Sequence, residues 1–275
     1  MTTRGTRRVR TARGLGASGY WQSWLGPVAV VLFCSVVPVS QNYANRAWFD
    51  TIGPFDFYAY LIQHDSVLPA VLPLVATLPY ALAFSGMLRN RFLTYTRVRR
   101  GLRATLAGHL ARNAVITFTV FLVVGVIPQL FVIWGQPHYA PEGYGLDTPE
   151  ALLAAQLRWK TFSQLLSYGP WAPVLAYSAW LALNATLYAT VAMCTLLLAR
   201  NRVLGLSLPW IGYLLVVFGA AVLWLEAYSV ALAFPFNLTQ MPLVNLSYPI
   251  TGLGLATAAL VAVVLAKAPT LAQLQ

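Results

Sequence analysis

The sequence predicts an all-α integral membrane protein with six transmembrane helices, and two observations lead to that class. Of its 275 residues, 59% are hydrophobic and only 9% are charged, whereas a soluble globular domain carries about 25% charged residues. Six apolar stretches also have about the length that a helix needs to cross the hydrocarbon core. They lie near Trp24–Gln41, Val67–Leu88, Asn113–Trp134, Trp171–Ala199, Val203–Leu225 and Ile250–Ala266.

The charged residues are distributed unevenly between the loops, which predicts how the chain is oriented. Fifteen of the 18 Lys and Arg residues fall in loops of one parity, and all seven acidic residues can be placed on the opposite side. Lys/Arg-rich loops stay in the cytoplasm, so we expect both termini to be cytoplasmic. The expected regions are a basic cytoplasmic or interfacial segment (residues 1–23), the transmembrane domain (24–266) and a cytoplasmic tail (267–275).

Two stretches on the predicted outer side have features of their own. Residues 228–249 carry no charge, but Pro235, Pro242 and Pro249 interrupt them. Because proline costs about 3 kcal/mol inside a helix, we expect a re-entrant extracellular segment between helices 5 and 6 rather than a seventh span. Residues 135–169 form an extracellular insert in which Thr148-Pro149-Glu150 predicts a helix start, with an amphipathic helix over Ala151–Leu166.

No motif for catalysis, metal binding or nucleotide binding occurs in the chain. It lacks GxxxxGK[ST], HExxH and GxSxG, so we expect no enzyme activity, metal or cofactor in this chain. The two cysteines, Cys34 and Cys194, fall in predicted spans and are expected to be apolar packing residues. The net charge of +11 suits contact with anionic lipid headgroups, and we expect no nucleic-acid partner.

The polar residues of the predicted spans are nearly all neutral. Candidate pathway-lining residues are Thr117, Gln129, Asn184 and Tyr188. The alternative is that they hydrogen-bond between helices or back to their own helix. Ion-coupled carriers usually need ionisable groups within the membrane, and only Glu226 comes near a span, at its outer end. A transporter of this composition would take its energy from elsewhere.

Residues 89–112, after the second span, contain seven Arg and no acidic residue. Apolar residues recur among them at helical spacing, at Phe92, Leu93, Tyr95, Val98, Leu102, Leu106 and Leu110. Gly101 is expected to divide the segment into two short helices. Two interpretations are open: a basic collar attracted to lipid headgroups, or a docking helix whose apolar face enters a groove on a partner.

Several features together resemble the membrane permease of an ABC-2-type ABC exporter. They are the six-span layout, the interfacial N-terminal segment, the sequence FLTYTRVRRGLRATLAGHLARN after the second span, and the apolar re-entrant stretch. In that family the segment after the second span holds the coupling helix, which docks on a separate ATPase subunit. The resemblance assigns this role to Phe92, Tyr95, Thr96, Arg97, Arg99 and Arg100.

The resemblance implies a multi-pass permease subunit in the cytoplasmic membrane of a bacterial cell. Its substrate would be amphipathic or lipid-like, and a dimer of cytoplasmic ABC ATPase subunits, binding ATP and Mg, would drive transport. A second permease subunit, identical or homologous, and membrane lipids would be the other partners. Two alternatives stay open. One is a non-transporting membrane scaffold, sensor or immunity partner of an ATPase, and the other is an integral-membrane enzyme.

Overall fold

The apolar stretches form helices, which satisfy their own backbone N–H and C=O groups and therefore suit surroundings without water. The computed structural model describes residues 18–44, 68–89, 101–135, 162–169, 171–199, 201–225, 228–233 and 247–268. The helices are α1 (Ser18–Val31), α2 (Val37–Ala44), α3 (Leu68–Val75), α4 (Ala81–Arg89), α5 (Leu102–Gly135), α6 (Trp171–Leu198), α7 (Arg202–Val222) and α8 (Ser247–Lys267). Within these ranges there is no strand.

Among the described residues, four helices are long and apolar enough to cross a membrane. These are Leu102–Phe131 within α5, Trp171–Leu198, Arg202–Val222, and Ile250–Lys267 within α8, and they overlap the predicted spans three to six. The predicted spans one and two are also helical, but each contains a local break. The α1 helix already begins at Ser18, so it includes part of the predicted N-terminal segment.

The break in the first stretch is a π-helical turn over Leu32–Val36. Pro38 lacks an N–H, and its ring would clash with the carbonyl four residues earlier. The Val37 N–H accordingly bonds the Leu32 carbonyl, five residues back. Within this turn the buried Ser35 hydroxyl donates to the Val124 carbonyl of α5 at 3.0 Å, so the break attaches the first helical stretch to the centre of the molecule.

The break in the second stretch lies between α3 and α4. Pro79 supplies no N–H, and the turn contains hydrogen bonds between residues that are three apart instead of four. One of them joins the Leu78 N–H and the Val75 carbonyl at 3.0 Å. A Cβ atom on Gly26 of α1 would clash with the Leu78 carbonyl oxygen. The turn is therefore the place where the backbone of α1 approaches this stretch.

The α6 helix lies at the centre and contacts α3, α4, α5, α7 and α8. Its buried face is rich in small residues, including Ala182, Ala185 and Ala189, which allow neighbouring helices to approach closely. At the contact with α5, a Cβ on Gly125 would lie 2.9 Å from the Ser178 Cα. These two helices therefore meet almost backbone to backbone.

The helix after Gly101 differs from the sequence-based expectation. It runs without interruption from Leu102 to Gly135, so the second of the two predicted short helices is not a separate element. The Gly101 carbonyl accepts the Thr105 N–H at 3.1 Å, which is the first bond of this helix. The residues before Gly101, from 90 to 100, lie outside the described ranges.

The predicted amphipathic helix of the insert does not continue as an α-helix to Leu166. Phe162 has a positive φ of 69°, and Ser163–Tyr168 form a 3-10 helix. The Phe162 ring lies 5.4 Å from that of Tyr177 and 6.1 Å from that of Trp180. This aromatic packing offsets the backbone strain. Residues 151–161 of the prediction lie outside the described ranges.

Candidate functional site

One end of the bundle collects basic residues from separate parts of the chain. Its apolar core joins the last turn of α4, the first turns of α5, the last turns of α6 and α8, and Leu206 near the start of α7. The described Lys and Arg residues all belong to these helix ends, and most are exposed: Arg89, Arg103, Arg112, Arg202 and Lys267. We call this end of the bundle the basic end. All seven acidic residues lie outside the described ranges.

The predicted coupling residues Phe92, Tyr95, Thr96, Arg97, Arg99 and Arg100 also lie outside the described ranges. The residues on either side of this segment are described. Arg89 ends α4 and Gly101 directly precedes α5, and Leu88 and Leu106 beside them are both buried in the apolar core of the basic end. Both ends of this segment therefore lie at the basic end.

The four candidate pathway residues are all buried. Thr117 and Gln129 lie in α5, Asn184 and Tyr188 lie in α6, and none is more than 4% exposed. They do not come together as a single cluster, because Thr117 and Gln129 are about 18 Å apart along their helix. The structure thus places them inside the bundle but distributes them along its length.

The two residues from α6 have contacts that explain their burial. The Asn184 amide donates to the Trp180 carbonyl at 2.9 Å, one turn earlier. The Tyr188 ring meets that of Tyr213 in α7 edge to face, with centroids 6.0 Å apart. Both tyrosines belong to the apolar cluster that also contains Phe121, so Tyr188 contributes to core packing between α5, α6 and α7.

The polar residues of α5 differ, since several have no hydrogen-bond partner in the described part of the chain. The Thr117 hydroxyl and both amide atoms of Gln129 are buried with no hydrogen-bond partner among the described residues. The same holds for both amide atoms of Asn113, which was not among the predicted site residues. Buried polar groups in native structures are almost always hydrogen-bonded, so these atoms need an explanation.

His109 is a further buried polar residue that the sequence-based prediction did not single out. Its Nδ1 and the Tyr80 hydroxyl are hydrogen-bonded at 2.7 Å, and its ring centroid lies 5.0 Å from that of Phe84. His109, Asn113 and Thr117 follow one another at intervals of four residues and share one face of α5. That spacing is visible in the sequence and is the signal that could have identified the set.

The described polar groups offer neutral hydrogen bonding. No three His, Cys, Asp or Glu side chains come together within the described part of the chain.

The predicted re-entrant segment is described only at its two ends. Trp224, just after α7, has a positive φ of 56°, and Val230–Ala233 then form a 3-10 helix that contacts α7 and α8. The chain thus turns back onto the bundle soon after α7 ends. Residues 234–246, which include the predicted dip at Phe234–Leu243, lie outside the described ranges.

Comparisons with family models, with curated proteins and with solved structures found no match to this chain.

Proposed function

We propose that this chain is the transmembrane permease subunit of an ATP-driven exporter of the ABC-2 type. In this proposal it crosses the cytoplasmic membrane six times, with both termini in the cytoplasm, and moves an amphipathic or lipid-like substrate. The observation that carries the proposal is the pairing of a basic end with an uncharged polar interior. Basic residues from separate parts of the chain lie together at the basic end. The buried polar residues of α5 and α6 include no Asp, Glu, Lys or Arg.

The uncharged interior of the bundle is relevant to the energy source for transport. Proton- and ion-coupled carriers place charged groups along their pathways. The buried side chains among the described residues include no Asp, Glu, Lys or Arg and one histidine, His109. His109 is bonded to Tyr80 at the basic end rather than placed at mid-bundle. An external ATPase dimer, binding ATP and Mg, is therefore the energy source in the proposal.

The length of α5 supports a mechanical link to such a partner. Its 34 residues span about 50 Å, whereas the hydrocarbon core is about 30 Å thick. The first turns, with Arg103 and Arg112 exposed, would project beyond the membrane at the basic end. A force applied to residues 89–101 would then be transmitted along one continuous helix to Thr117 and Gln129.

The exposed surface suits lipid and a second permease subunit. Large apolar side chains are exposed along α7, including Val203, Leu215, Phe218 and Val222. Lipid tails, and the second subunit that the proposal requires, would cover this surface. The scaffold and enzyme alternatives share the same membrane surface, and only a functional experiment separates them from transport.

The test is the double variant Phe92→Ala with Tyr95→Ala, expressed together with its ATPase partner. We expect the amount of ATPase that copurifies in mild detergent to fall about tenfold or more, because apolar anchors dominate binding at interfaces. Substrate-stimulated ATP hydrolysis in reconstituted vesicles should fall with it. Membrane insertion and yield should be unchanged.

The matched control is Phe33→Ala with Phe118→Ala, which removes two aromatic rings from exposed positions of the Leu32–Val36 turn and of α5. This control should retain the ATPase. If the Phe92/Tyr95 variant keeps the ATPase and transports at the native rate, residues 89–112 form a lipid-facing collar and the coupling role is wrong. If no ATPase accompanies even the wild-type chain, the exporter proposal itself is overturned.

A further inference from the structure

Arg112 lies at the depth where the hydrocarbon core of a membrane meets the lipid headgroups. From Arg112 to the end of α5 at Gly135 the helix rises about 35 Å, slightly more than the hydrocarbon core, which is about 30 Å thick. In the other direction α5 continues for only about 15 Å, to Leu102. Lipid phosphate groups are therefore within reach of Arg112, whereas a cytoplasmic protein would contact the earlier turns of α5 first.

The Arg112 side chain is exposed and has room to reach the headgroups. Helical Cα–Cβ bonds tilt toward the N-terminus, so this side chain extends over the preceding turn, where Gly108 occupies the same face of α5. Gly108 is exposed too, and a Cβ atom added to it would have nothing within 4 Å. The guanidinium can therefore lie at an open surface of the basic end and stay out of the hydrocarbon.

Tyr80 and His109 provide a fixed polar support for Arg112. The Tyr80 hydroxyl and His109 Nδ1 are hydrogen-bonded at 2.7 Å, and the Arg112 side chain interacts with the same hydroxyl. Arginine can only donate hydrogen bonds, so the hydroxyl accepts from Arg112 and donates its own proton to Nδ1. Both rings are only 8% exposed and lie beside the Phe84 ring. The position of Arg112 is thus set by buried groups of two different elements.

The negative partner of Arg112 has to come from outside the described part of the chain. All seven acidic residues lie beyond the described ranges, and the charge distribution predicts that they are on the opposite side of the membrane. Arginine binds phosphate through two parallel N–H···O bonds, which are stronger than bonds between neutral groups. A zwitterionic headgroup carries its own cation beside the phosphate, so an anionic phospholipid matches both the charge and the depth of Arg112.

The hydrocarbon side of Arg112 offers a surface for an acyl chain. Val115, Thr119 and Val123 follow on the same face of α5, and all three are exposed. The Thr119 hydroxyl donates to the Val115 carbonyl at 2.9 Å, so its polar group is satisfied within the helix and is compatible with hydrocarbon. An acyl chain that extends from a phosphate at Arg112 would lie along this apolar stripe.

We propose that Arg112, positioned by Tyr80 and His109, forms a binding site for one anionic phospholipid. The guanidinium binds the phosphate, and an acyl chain lies along the stripe that begins at Val115. The site differs from a general attraction between the basic end and anionic lipids, because a single arginine at one depth carries the selectivity. It requires only that α5 crosses a membrane, and it does not depend on an ATPase partner or on transport.

Native mass spectrometry of the full-length chain in detergent, with phosphatidylglycerol or phosphatidylcholine added, tests the site. The first phosphatidylglycerol should bind to the wild type on the order of tenfold more tightly than phosphatidylcholine, because its bonds to arginine are charge-assisted. Arg112→Gln should remove most of this preference. The matched control is Arg103→Gln, which removes the same charge from an exposed position on the opposite face of α5 and should keep the preference.

Tyr80→Phe tests the support of Arg112. This change keeps the ring beside Phe84 and removes the hydroxyl, so phosphatidylglycerol should bind about threefold more weakly than to the wild type. In the Arg112→Gln background the same change should have no further effect on lipid binding, because the group that Tyr80 positions is already absent. Equal effects of Tyr80→Phe in the two backgrounds would show that Tyr80 does not act through Arg112, and this part of the proposal would be wrong.

Inorganic phosphate distinguishes a lipid ligand from a free anion. Excess phosphate should not displace phosphatidylglycerol from the wild type, because the acyl chain contributes to binding. Displacement by phosphate alone would make the ligand a free anion. An equal loss of preference in Arg112→Gln and Arg103→Gln would reduce the effect to net charge. Either result overturns the proposal, as does an Arg112→Gln variant that retains the preference of the wild type.

Discussion

At the scale of single residues, glycine determines how closely the central helices meet. A Cβ on Gly125 would lie 2.9 Å from the Cα, Cβ and Oγ atoms of Ser178, a distance that backbone atoms cannot relieve without moving a helix. Gly108 lies on the same helix with nothing within 4 Å of the added atom. One helix thus contains a glycine needed for packing and one that is not.

We predict opposite effects for Gly125→Ala and Gly108→Ala. Gly125→Ala should destabilise the protein by about 1–3 kcal/mol through overpacking. Gly108→Ala should be neutral or stabilising by up to about 1 kcal/mol, since alanine favours the helix. The midpoint of thermal unfolding in detergent, compared with wild type, measures both changes. A loss of stability in Gly108→Ala as large as that in Gly125→Ala would contradict the role given to the α5–α6 contact.

At the scale of elements, the short connection between α6 and α7 depends on a cap. Asn201 has an extended backbone conformation, with φ −94° and ψ 123°, and its side chain accepts the Val203 and Leu204 N–H groups. The two bonds measure 3.0 Å and 3.4 Å. They satisfy N–H groups that the first turn of a helix leaves unpaired, so α7 can begin immediately after the turn.

Asn201→Ala should cost about 0.5–2 kcal/mol of stability, because the first turn of α7 loses its cap. Asn201→Asp retains the accepting oxygen and should stay close to wild type. Chemical denaturation of the purified chain, followed by circular dichroism, provides the comparison. If alanine and aspartate have equal effects, the cap does not contribute to the start of α7.

Breaks within elements are also determined by proline. The π-helical turn at Leu32–Val36 and the turn before Ala81 both lie beside prolines that remove a backbone donor. In both places the break is in contact with another helix. Ser35 bonds the backbone of α5, and Gly26 approaches the Leu78 carbonyl. The irregular turns are therefore points of contact between helices.

At the scale of the whole molecule, the basic end determines the expected orientation. Five described Lys and Arg residues lie at helix ends that share one apolar core, as the positive-inside rule requires of a cytoplasmic side. The same parity argument predicts that the N-terminal and C-terminal segments are cytoplasmic and that residues 135–169 are extracellular.

Cysteine accessibility in intact cells tests this topology. With Cys34 and Cys194 replaced, Thr148→Cys should react with a membrane-impermeant thiol reagent, whereas Thr2→Cys and Gln273→Cys should react only after the cells are permeabilised. The physical reason is that transferring the Lys/Arg-rich loops across the membrane is unfavourable. Labelling of the two terminal positions in intact cells, without labelling at Thr148→Cys, would reverse the orientation.

The class of the protein and the approximate limits of its helices follow from local features of the sequence. Apolar length and the need to satisfy backbone hydrogen bonds are properties of each stretch taken alone, so the predicted spans overlap the observed helices. Burial of Thr117, Gln129, Asn184 and Tyr188 could be anticipated in the same way. Periodicity along α5 also placed His109, Asn113 and Thr117 on one face, although the prediction did not use it.

Which of these polar groups form hydrogen bonds depends on how the helices pack against one another. Asn184 bonds its own helix, and Thr117 does not, although both are neutral residues in apolar helices. The positive φ of Phe162 and the requirement for glycine at position 125 could not be predicted from the sequence either. Each depends on the rings or backbone of a different element. Contacts of this kind join residues far apart in the chain. A local pattern of hydrophobicity or charge does not determine which helices pack against each other.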